Sequence, residues 1–243
     1  MDRTKPVLMM TSGIDSVCAG VLLSDSVSIL PVYFTGVSKY SEAEKFALEK
    51  MLEWLNIGEA IFDSSLRLKS RELPGGFTPY RNLLFMLQAA KYGTEIIIGY
   101  VDGDNVNDNN PQAHENFQKI LNDYWDEGGP FEVKTIKDYE GKYFSKGELL
   151  KEVSSRRGRH LAQDIVDGSF SCYEPIGNRE CKRCPACFRK FVAARAAGLR
   201  CDFGSRKLAL EYYEKMKTPE GEERYGEKRT EETLRVLHDY YGV

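Results

Sequence analysis

The chain has 243 residues, of which 42% are hydrophobic, and its 34 Lys and Arg nearly balance its 37 Asp and Glu. This length and composition predict one large domain, or one domain with a small added lobe, and the charge balance argues against a dedicated nucleic-acid surface, which needs excess positive charge to neutralise phosphates. The polar N-terminus does not resemble a signal peptide, and no window has the length and apolarity of a membrane-spanning helix. We therefore expect a cytoplasmic protein with no membrane partner.

Apolar runs alternate with helical patterns through the first half of the chain. The predicted strands fall at residues 7–10, 28–34, 60–62, 95–99 and 131–136. The predicted helices fall at about residues 15–24, from residue 41 onward, and at about residues 81–92. Strands that alternate with helices predict an α/β fold, with an open, mostly parallel sheet and helices on both faces. Ligands bind such sheets beyond the carboxyl ends of the strands.

The composition changes after about residue 154, where a basic stretch at 156–160 precedes four closely spaced cysteines and a charged helical tail. We expect a nucleotide-binding α/β domain over residues 1–150, and a zinc-binding lobe with a helical extension over residues 151–243. The tail is predicted to pack either on this lobe or on a second subunit of a homodimer, and its periodicity does not choose between them. The basic stretch is interpreted as a solvated helix face, with a tRNA-contacting patch as the alternative.

Four of the six cysteines form a C-x8-C-x2-C-x2-C pattern: Cys172, Cys181, Cys184 and Cys187. Two residues between cysteines let a tight turn direct both sulfurs at one point, and zinc takes four thiolates at tetrahedral corners. A site with four thiolates leaves no position for water, so the predicted zinc ion is structural. An iron–sulfur cluster and free core thiols are the alternatives.

A polar turn from Thr11 to Ser16 joins the first strand to the first helix. Such a turn exposes backbone N–H groups at a helix N-terminus, where phosphate binds. The hydroxyls of Thr11, Ser12 and Ser16 add candidate donors beside Gly13, and Asp15 is a candidate ligand for a magnesium ion on the phosphates of ATP. The alternative is an ordinary capped turn, because the loop lacks the Lys of a Walker A motif.

The polar turn and the cysteine pattern together resemble the 7-cyano-7-deazaguanine synthases, a family of ATP pyrophosphatases with an S-G-G-x-D-S loop after the first strand. The resemblance covers about residues 6–195. Besides the loop and the cysteines, the matching positions are Gly36 and Glu42 in a Y-G-Q-R-H-x-x-E segment, Pro79, Arg81 and Asn82 in P-G-R-N, Ser145 to Glu148 in S-K-x-E, Ser171 and Tyr173 beside the first cysteine, and Arg189 after the last. Tyr80 replaces the glycine of P-G-R-N.

Two segments depart from the family pattern. Residues 35–39 replace its Y-G-Q-R-H and keep only the glycine, Gly36. In the segment that serves the deazapurine, Asp104 keeps its spacing from Gly99, whereas the Asp-Cys-Arg set after the proline is replaced by residues ending at His114. The resemblance therefore implies a retained adenylation half and an altered substrate half.

The resemblance implies an adenine nucleotide alpha hydrolase-like fold and an ATP-dependent carbon–nitrogen ligase of queuosine biosynthesis. Family members adenylate 7-carboxy-7-deazaguanine, let ammonia displace AMP to give the amide, and activate the amide with a second ATP to give the nitrile. The implied catalytic residues are Asp15, Lys146 and Arg81, and Lys146 and Arg81 would neutralise the charge of the phosphates. The implied cofactor-binding residues are Thr11, Ser12, Gly13, Asp15, Ser16, Gly36 and Gly99, and the implied substrate-binding residues are Asp104 and His114.

The altered substrate half leaves other functions open. One alternative is a variant that stops at the amide or joins the activated carboxylate to another amine. Others are a tRNA-modifying protein and a non-catalytic nucleotide-binding protein, because a fold does not fix a function. The presence of Asp15 and Lys146 favours an enzyme over a non-catalytic nucleotide-binding protein.

Overall fold

Short apolar runs form a sheet of five parallel strands in the computed structural model, which describes residues 3–73, 77–103, 106–124 and 130–242. The strands are β1 (Val7–Met9), β2 (Leu30–Phe34), β3 (Ile61–Asp63), β4 (Glu95–Ile98) and β5 (Glu132–Thr135). They lie in the order β3-β2-β1-β4-β5, and every neighbouring pair is parallel. The predicted α/β class is confirmed.

Helices connect these strands and continue to the C-terminus. In the described ranges they are α1 (Ile14–Leu23), α2 (Ser41–Leu52), α3 (Arg81–Ala89), α4 (Pro111–Tyr124), α5 (Ile136–Glu140), α6 (Lys146–Arg157), α7 (Arg159–Gly168), α8 (Pro185–Ala196), α9 (Arg206–Met216), α10 (Pro219–Tyr225) and α11 (Glu227–Tyr241). A short 3₁₀ helix covers Lys69–Arg71. None of these described helices combines the length and apolarity needed to cross a bilayer.

Helix α4 was not predicted from the sequence. The polar composition of residues 102–111 predicts a loop directly after β4, and the helix begins at the last of these residues, Pro111. Proline suits the first position of a helix, because its missing N–H would have no partner there and its φ angle is already helical. His114 therefore lies on a helix rather than in a loop, and Phe117 and Leu121 follow it on the buried face.

Alternating side chains of the strands supply two cores, one on each face of the sheet. Leu8 and Ile97 pack in the core that contains α1, α6 and α7. Val7, Ile96 and Phe117 pack in the core that contains α3 and α4. Residues one apart on a strand point to opposite faces, so both faces are apolar and both are covered by helices.

The loops after β1 and β4 meet at the point where the strand order reverses. The chain passes from β1 through β2 to β3 on one side of the sheet, and β4 returns to the other side of β1. Gly99 follows β4, and a Cβ atom there would lie 3.3 Å from both the backbone nitrogen and the Cα of Ser16. The missing side chain lets β4 end directly against the first turn of α1. Such a reversal forms the crevice where open α/β sheets bind ligands.

The C-terminal helices and the cysteine segment form a third core. Aromatic and aliphatic side chains of α8, α9 and α11 fill it, including Phe188, Phe191, Val236 and Leu237. Helix α11 packs on α8 and α9, so the tail takes the first of its two predicted positions, against the cysteine lobe. A domain boundary at residue 150 stays a prediction, and helix α6 runs across that position in contact with both α1 and α8.

Candidate active site

A cavity of about 240 Å³ lies at the carboxyl ends of β1, β2 and β4. It is the end of the sheet at which the strand order predicts a ligand. Its described lining comes from the loops after β1, β2 and β4, the starts of α2, α3 and α6, and the cysteine lobe. Its polar lining residues include Thr11, Asp15, Ser16, Tyr33, Ser38, Tyr40, Glu44, Arg81, Asn82, Asn109, Lys146, Ser171, Tyr173 and Lys190.

The loop after β1 is closed by its own hydroxyl groups. The N–H of Thr11 donates to Ser16 Oγ at 2.9 Å, and this hydroxyl donates to the carbonyl of Thr11 at 2.9 Å. The N–H of Gly13 donates to Thr11 Oγ1 at 3.1 Å. Helix α1 then begins at Ile14 without a side-chain cap from Gly13. Residues 13–16, which form the start of this helix, line the cavity at the positive end of the helix dipole, and the first N–H groups of a helix are an arrangement that binds anions.

Ser12, Gly36 and Gly99 occupy different positions relative to this cavity. Ser12 is fully buried, and its hydroxyl lies 3.4 Å from the carbonyl oxygen of Phe170. This contact connects the loop after β1 to the segment before the cysteines. Gly36 adopts a φ of 69° in the turn after β2 and is not part of the described lining. Gly99 lines the cavity beside Ser16. Of the three, only Gly99 has a surface on the cavity in this structure.

Lys146 contacts Asp15, and both side chains line the cavity. Its ammonium group donates to Asp15 Oδ2. Lys146 is the first residue of α6, and Ser145 caps this helix by accepting from the N–H of Glu148 at 3.1 Å, while Glu148 Oε2 accepts from the N–H of Ser145 at 2.7 Å. The Ser and Glu of the S-K-x-E segment are therefore a capping box, which fixes the helix start that carries the Lys.

Helix α11 contacts the start of α6. The Ser145 hydroxyl donates to Glu232 at 2.9 Å. Lys228 lies 2.9 Å from Glu148 and 3.3 Å from Asp102, which belongs to the loop after β4. The tail thus connects two segments that border the cavity. This connection joins residues far apart in the chain, and no local pattern predicted it.

A second charged group of the cavity lies at the starts of α2 and α3. The carboxylate of Glu44 accepts from the Tyr33 hydroxyl at 3.2 Å, and this hydroxyl also lies 3.1 Å from the carbonyl of Ser41. Arg81 donates to the Tyr40 hydroxyl at 3.3 Å. Burial raises the pKa of Glu44 to about 7, although nearby Arg81 lowers it, and burial raises the pKa of Tyr40 to about 12. Arg81 was predicted to neutralise phosphate charge. Its described neighbours are the carboxyl group of Glu44 and the phenols of Tyr40 and Tyr173.

Glu44 is a site residue that the sequence interpretation missed. The family resemblance assigned Glu42 to the motif, and its side chain is exposed to solvent. Glu44 instead lines the cavity. The sequence contains a pattern that predicts an inward-facing Glu44. It lies four and seven residues before Leu48 and Met51, so the three residues share one face of the helix, and Leu48 and Met51 are buried.

The loop after β4 forms another wall. Asp108 accepts from the backbone and the side chain of Asn82, both at 2.9 Å, which attaches the loop to the start of α3. Asn109 lines the cavity, and His114 Nε2 lies 2.9 Å from its Oδ1. Burial lowers the pKa of His114 to about 4, so the imidazole is neutral at physiological pH. His114 is outside the described lining and meets the cavity only through Asn109, and Asp104 lies outside the residues that the structure describes.

The four predicted cysteine ligands converge on one point. Their sulfur atoms all lie within 4.8 Å of one another, and Cys187 Sγ is 3.6 Å from Cys184 Sγ and 3.9 Å from Cys181 Sγ. Four sulfurs placed tetrahedrally at about 2.3 Å from one zinc ion are about 3.8 Å apart. Backbone N–H groups also donate to the sulfurs of Cys172 and Cys181, which favours thiolates. The set fits a single zinc ion better than a cluster of several irons.

The cysteine lobe is also a wall of the cavity. Tyr173 follows the first cysteine, and it lines the cavity together with Ser171 and Lys190. Lys190 is almost fully buried and donates to Glu180 at 2.8 Å, while the other oxygen of Glu180 accepts from the N–H of Ser171 at 2.7 Å. A metal that orders residues 172–187 would therefore also order part of the candidate site.

A family model described as "Queuosine biosynthesis protein QueC" matches residues 58–198, which is more than half of the chain. The chain belongs to the QueC family. The matched span contains Arg81, Lys146 and the four cysteines, and the loop after β1 precedes it.

Curated relatives extend this likeness over most of the chain. The 7-cyano-7-deazaguanine synthase of Desulfitobacterium hafniense (strain DSM 10664 / DCB-2) is 25% identical over 222 residues, which are 81% of this chain and 91% of the relative. The 7-cyano-7-deazaguanine synthase 1 of D. hafniense (strain Y51) is 27% identical over 78% of this chain and 91% of its own length. The 7-cyano-7-deazaguanine synthase of Legionella pneumophila (strain Corby) is 26% identical over 76% of this chain and 90% of its own length. Identities this low fit a divergent member of the QueC family.

The basic stretch before the cysteines is largely neutralised within this QueC family member. Arg156 pairs with Glu140 and with Glu152, and Arg157 pairs with Asp25. These ion pairs reduce the positive charge that residues 156–160 could offer to phosphates of a nucleic acid. The tRNA alternative therefore gains no support from this surface.

Proposed function

We propose that this QueC family member is an ATP-dependent synthase that activates the carboxylate of 7-carboxy-7-deazaguanine, or of a related acid, and combines it with ammonia. One observation carries the proposal. A single cavity contains an anion-binding helix start beside Asp15 and Lys146, and a separate polar group formed by Glu44 and Arg81. The first suits the phosphates of ATP, and the second suits a polar heterocycle.

The loop after β1 and Lys146 would hold the phosphates. N–H groups of the first turn of α1 donate to pyrophosphate oxygens, and Lys146 offsets the charge that grows on the leaving pyrophosphate. Asp15 would hold a magnesium ion, because magnesium takes one or two carboxylates together with phosphate oxygens. When bound, this ion would neutralise phosphate charge and make the α-phosphorus more electrophilic.

Positioning is the main task of the remaining residues. A carboxylate oxygen attacks the α-phosphorus, the bond to pyrophosphate breaks, and an acyl adenylate remains. Ammonia then attacks the acyl carbon, AMP leaves with the carboxylate oxygen, and a proton is lost to give the amide. In the second round, the amide oxygen attacks the α-phosphorus of a second ATP and pyrophosphate leaves. Loss of AMP and of the two N–H protons from this adenylated amide then gives the nitrile. Holding the acid against ATP and excluding water favour each step over hydrolysis.

A second candidate product follows from the altered segment after β2. Val37 and Ser38 line the cavity where the family pattern has Gln and Arg. An apolar and a small side chain at these positions change the surface offered to the acid or to the incoming amine. The second candidate is therefore an enzyme that stops at the amide or joins the acyl group to another amine.

The stoichiometry of AMP separates these products. The protein is incubated with ATP, magnesium, ammonium and 7-carboxy-7-deazaguanine, and the products are identified by mass spectrometry. Two AMP per nitrile are expected for the full reaction, whereas one AMP per amide supports the second candidate. Failure to release AMP with any deazaguanine acid would contradict the proposed function.

A matched pair of variants tests whether the loop after β1 carries the activity. Asp15→Asn should abolish AMP release, because the magnesium ligand is lost. Asp25→Asn is the control, because Asp25 follows the same helix and pairs with Arg157 on the surface. Equal activity of Asp15→Asn and the native protein would remove Asp15 from the proposal.

A further inference from the structure

Glu44 and Arg81 are an acidic and a basic side chain in one cavity that do not form an ion pair with each other. Both side chains line the cavity. Among the described residues, the hydrogen bond of Glu44 comes from Tyr33 and that of Arg81 goes to Tyr40. The carboxylate thus keeps free acceptor sites, and the guanidinium keeps several free N–H donors. An anion and a cation arranged in this way can bind a ligand that presents donors next to an acceptor.

Both side chains are held in place from behind. Tyr33 is buried in β2, and its hydroxyl bridges the Ser41 carbonyl and Glu44 Oε2. The Tyr40 hydroxyl accepts from Arg81 at 3.3 Å. The two charged groups therefore keep a fixed spacing before a ligand arrives, which is the preorganisation that specific recognition needs.

Aromatic rings border this part of the cavity. Phe34 and Phe85 stack with ring centroids 4.9 Å apart and an interplanar angle of 24°. Tyr40 and Tyr173 lie with centroids 5.7 Å apart. All four residues line the cavity. Flat apolar walls beside fixed polar groups favour a planar heterocycle over a flexible chain.

We infer that Glu44 and Arg81 recognise the 2-amino-6-oxo edge of a guanine-type ring on the acid substrate. In this arrangement Glu44 accepts hydrogen bonds from the ring N1–H and the 2-amino group, and Arg81 donates to the 6-oxo oxygen. The inference rests on the proposed function and names the part of the substrate that determines specificity. Glu44 and Arg81 are then specificity-determining residues, and Lys146 with Asp15 serve the phosphates.

The adenine ring of ATP fits the same groups less well. Its edge presents one amino group between the ring acceptors N1 and N7, so a carboxylate placed to accept from the amino group faces a lone pair on at least one side. The guanine-type edge presents two adjacent donors and then an acceptor. That order matches a carboxylate followed by a guanidinium.

The experiment measures binding by titration calorimetry, so it does not require turnover. The ligands are 7-carboxy-7-deazaguanine, the analogue that lacks the 2-amino group, and a non-hydrolysable ATP analogue. The proteins are the native chain, Glu44→Gln, and Glu42→Gln as the control, since Glu42 is exposed on the same helix. Removing the 2-amino group should weaken binding to the native protein about 10- to 100-fold, the value of a hydrogen bond to a charged group.

Glu44→Gln should weaken binding of the acid by a similar factor and abolish the preference for the 2-amino group, while ATP-analogue binding stays within about twofold of the native value. Glu42→Gln should behave like the native protein. Equal binding of the acid and its analogue by the native protein overturns the inference without any variant. A Glu44→Gln effect confined to the ATP analogue would assign this part of the cavity to adenine and also overturn it.

The same data separate this inference from the proposed function. Native protein that binds the acid without preference for the 2-amino group contradicts the inference alone. Native protein that neither binds the acid nor releases AMP contradicts the proposed function, and the inference fails with it. If Glu44→Gln does not fold, the comparison of the two ligands on native protein still decides the result.

Discussion

Lys146 and Asp15 form an ion pair across 131 positions of the chain, between the first residue of α6 and the first turn of α1. Both side chains are mostly buried, with 20% and 16% of their surfaces exposed. In the proposed function, this charge pair at the start of α1 supplies groups for phosphate and magnesium in one place. The pair therefore marks the end of the cavity to which we assign the phosphates.

We expect Lys146→Met to lower kcat for AMP release about 100- to 1,000-fold, as is typical for removing one group that stabilises transition-state charge. The KM for the acid should change little, because we assign the acid to Glu44 and Arg81, in another part of the cavity. Lys151→Met is the control, since Lys151 is exposed on the same helix. Steady-state kinetics check this, and a loss confined to KM would contradict the assigned role.

Replacing Glu44 by Gln should stabilise the ligand-free protein, and more so at pH 8 than at pH 5.5. Burial raises the pKa of Glu44 from 4.5 to about 7 in the folded protein, so the folded chain favours the protonated form. The stabilisation from this protonation is present below about pH 4.5 and is lost as the pH rises through 7. Above pH 7 the ionised carboxylate therefore costs about 1 to 3 kcal/mol that Gln would not.

Urea unfolding at the two pH values measures this difference. The other groups beside Glu44 do not titrate in this interval, because the pKa values of Tyr33, Tyr40 and Arg81 are all raised above their ordinary values. An equal effect of Glu44→Gln at both pH values would show that the carboxylate is ionised throughout.

Tyr80→Gly should stabilise the protein. Tyr80 precedes α3 with a φ of 59°, where a side chain is strained, and 69% of its surface is exposed, so little burial is lost on its removal. Relief of about 1–2 kcal/mol of left-handed strain exceeds the added entropy cost of glycine. A rise in Tm of about 1–4 °C is expected by calorimetry. Tyr80→Ala keeps the Cβ atom and should give no such rise, so equal gains in both variants would contradict backbone strain as the cause.

Elemental analysis should find one zinc ion per native chain. Cys181→Ala should lose the zinc and weaken binding of the acid, because Ser171, Tyr173 and Lys190 line the cavity from the same lobe. Cys201→Ala is the control, since Cys201 lies outside the cluster. Zinc retained by Cys181→Ala, or lost from Cys201→Ala, would contradict the assignment of ligands.

Local patterns predicted the features that depend on neighbouring residues. Three adjacent isoleucines indicated β4, and the spacing of the cysteines identified four ligands whose sulfurs converge in the structure. Helix α4 was missed because Pro111 was interpreted as part of a loop, although proline also fits the first position of a helix. Glu44 was missed because the family motif indicates Glu42, whereas the buried face of α2 contains Glu44 together with Leu48 and Met51.

Other features had no local signal. The contacts of Lys228 with Glu148 and Asp102 join the tail to two distant segments, and their formation depends on how α11 packs. The burial of His114 behind Asn109 likewise depends on the position of α4 against the sheet. Contacts of this kind are set by tertiary packing, which a single sequence does not encode in any short window.

The two charged groups of the cavity are carried by separate pairs of helices. Asp15 and Lys146 lie on α1 and α6, whereas Glu44 and Arg81 lie on α2 and α3. If Glu44 and Arg81 bind the acid as we infer, mutations in α2 or α3 change which acid is accepted without moving the groups beside α1. Evolution could retain the energy-coupling chemistry in such a protein and change its product, and a low overall identity to its relatives need not mean that the use of ATP has been lost.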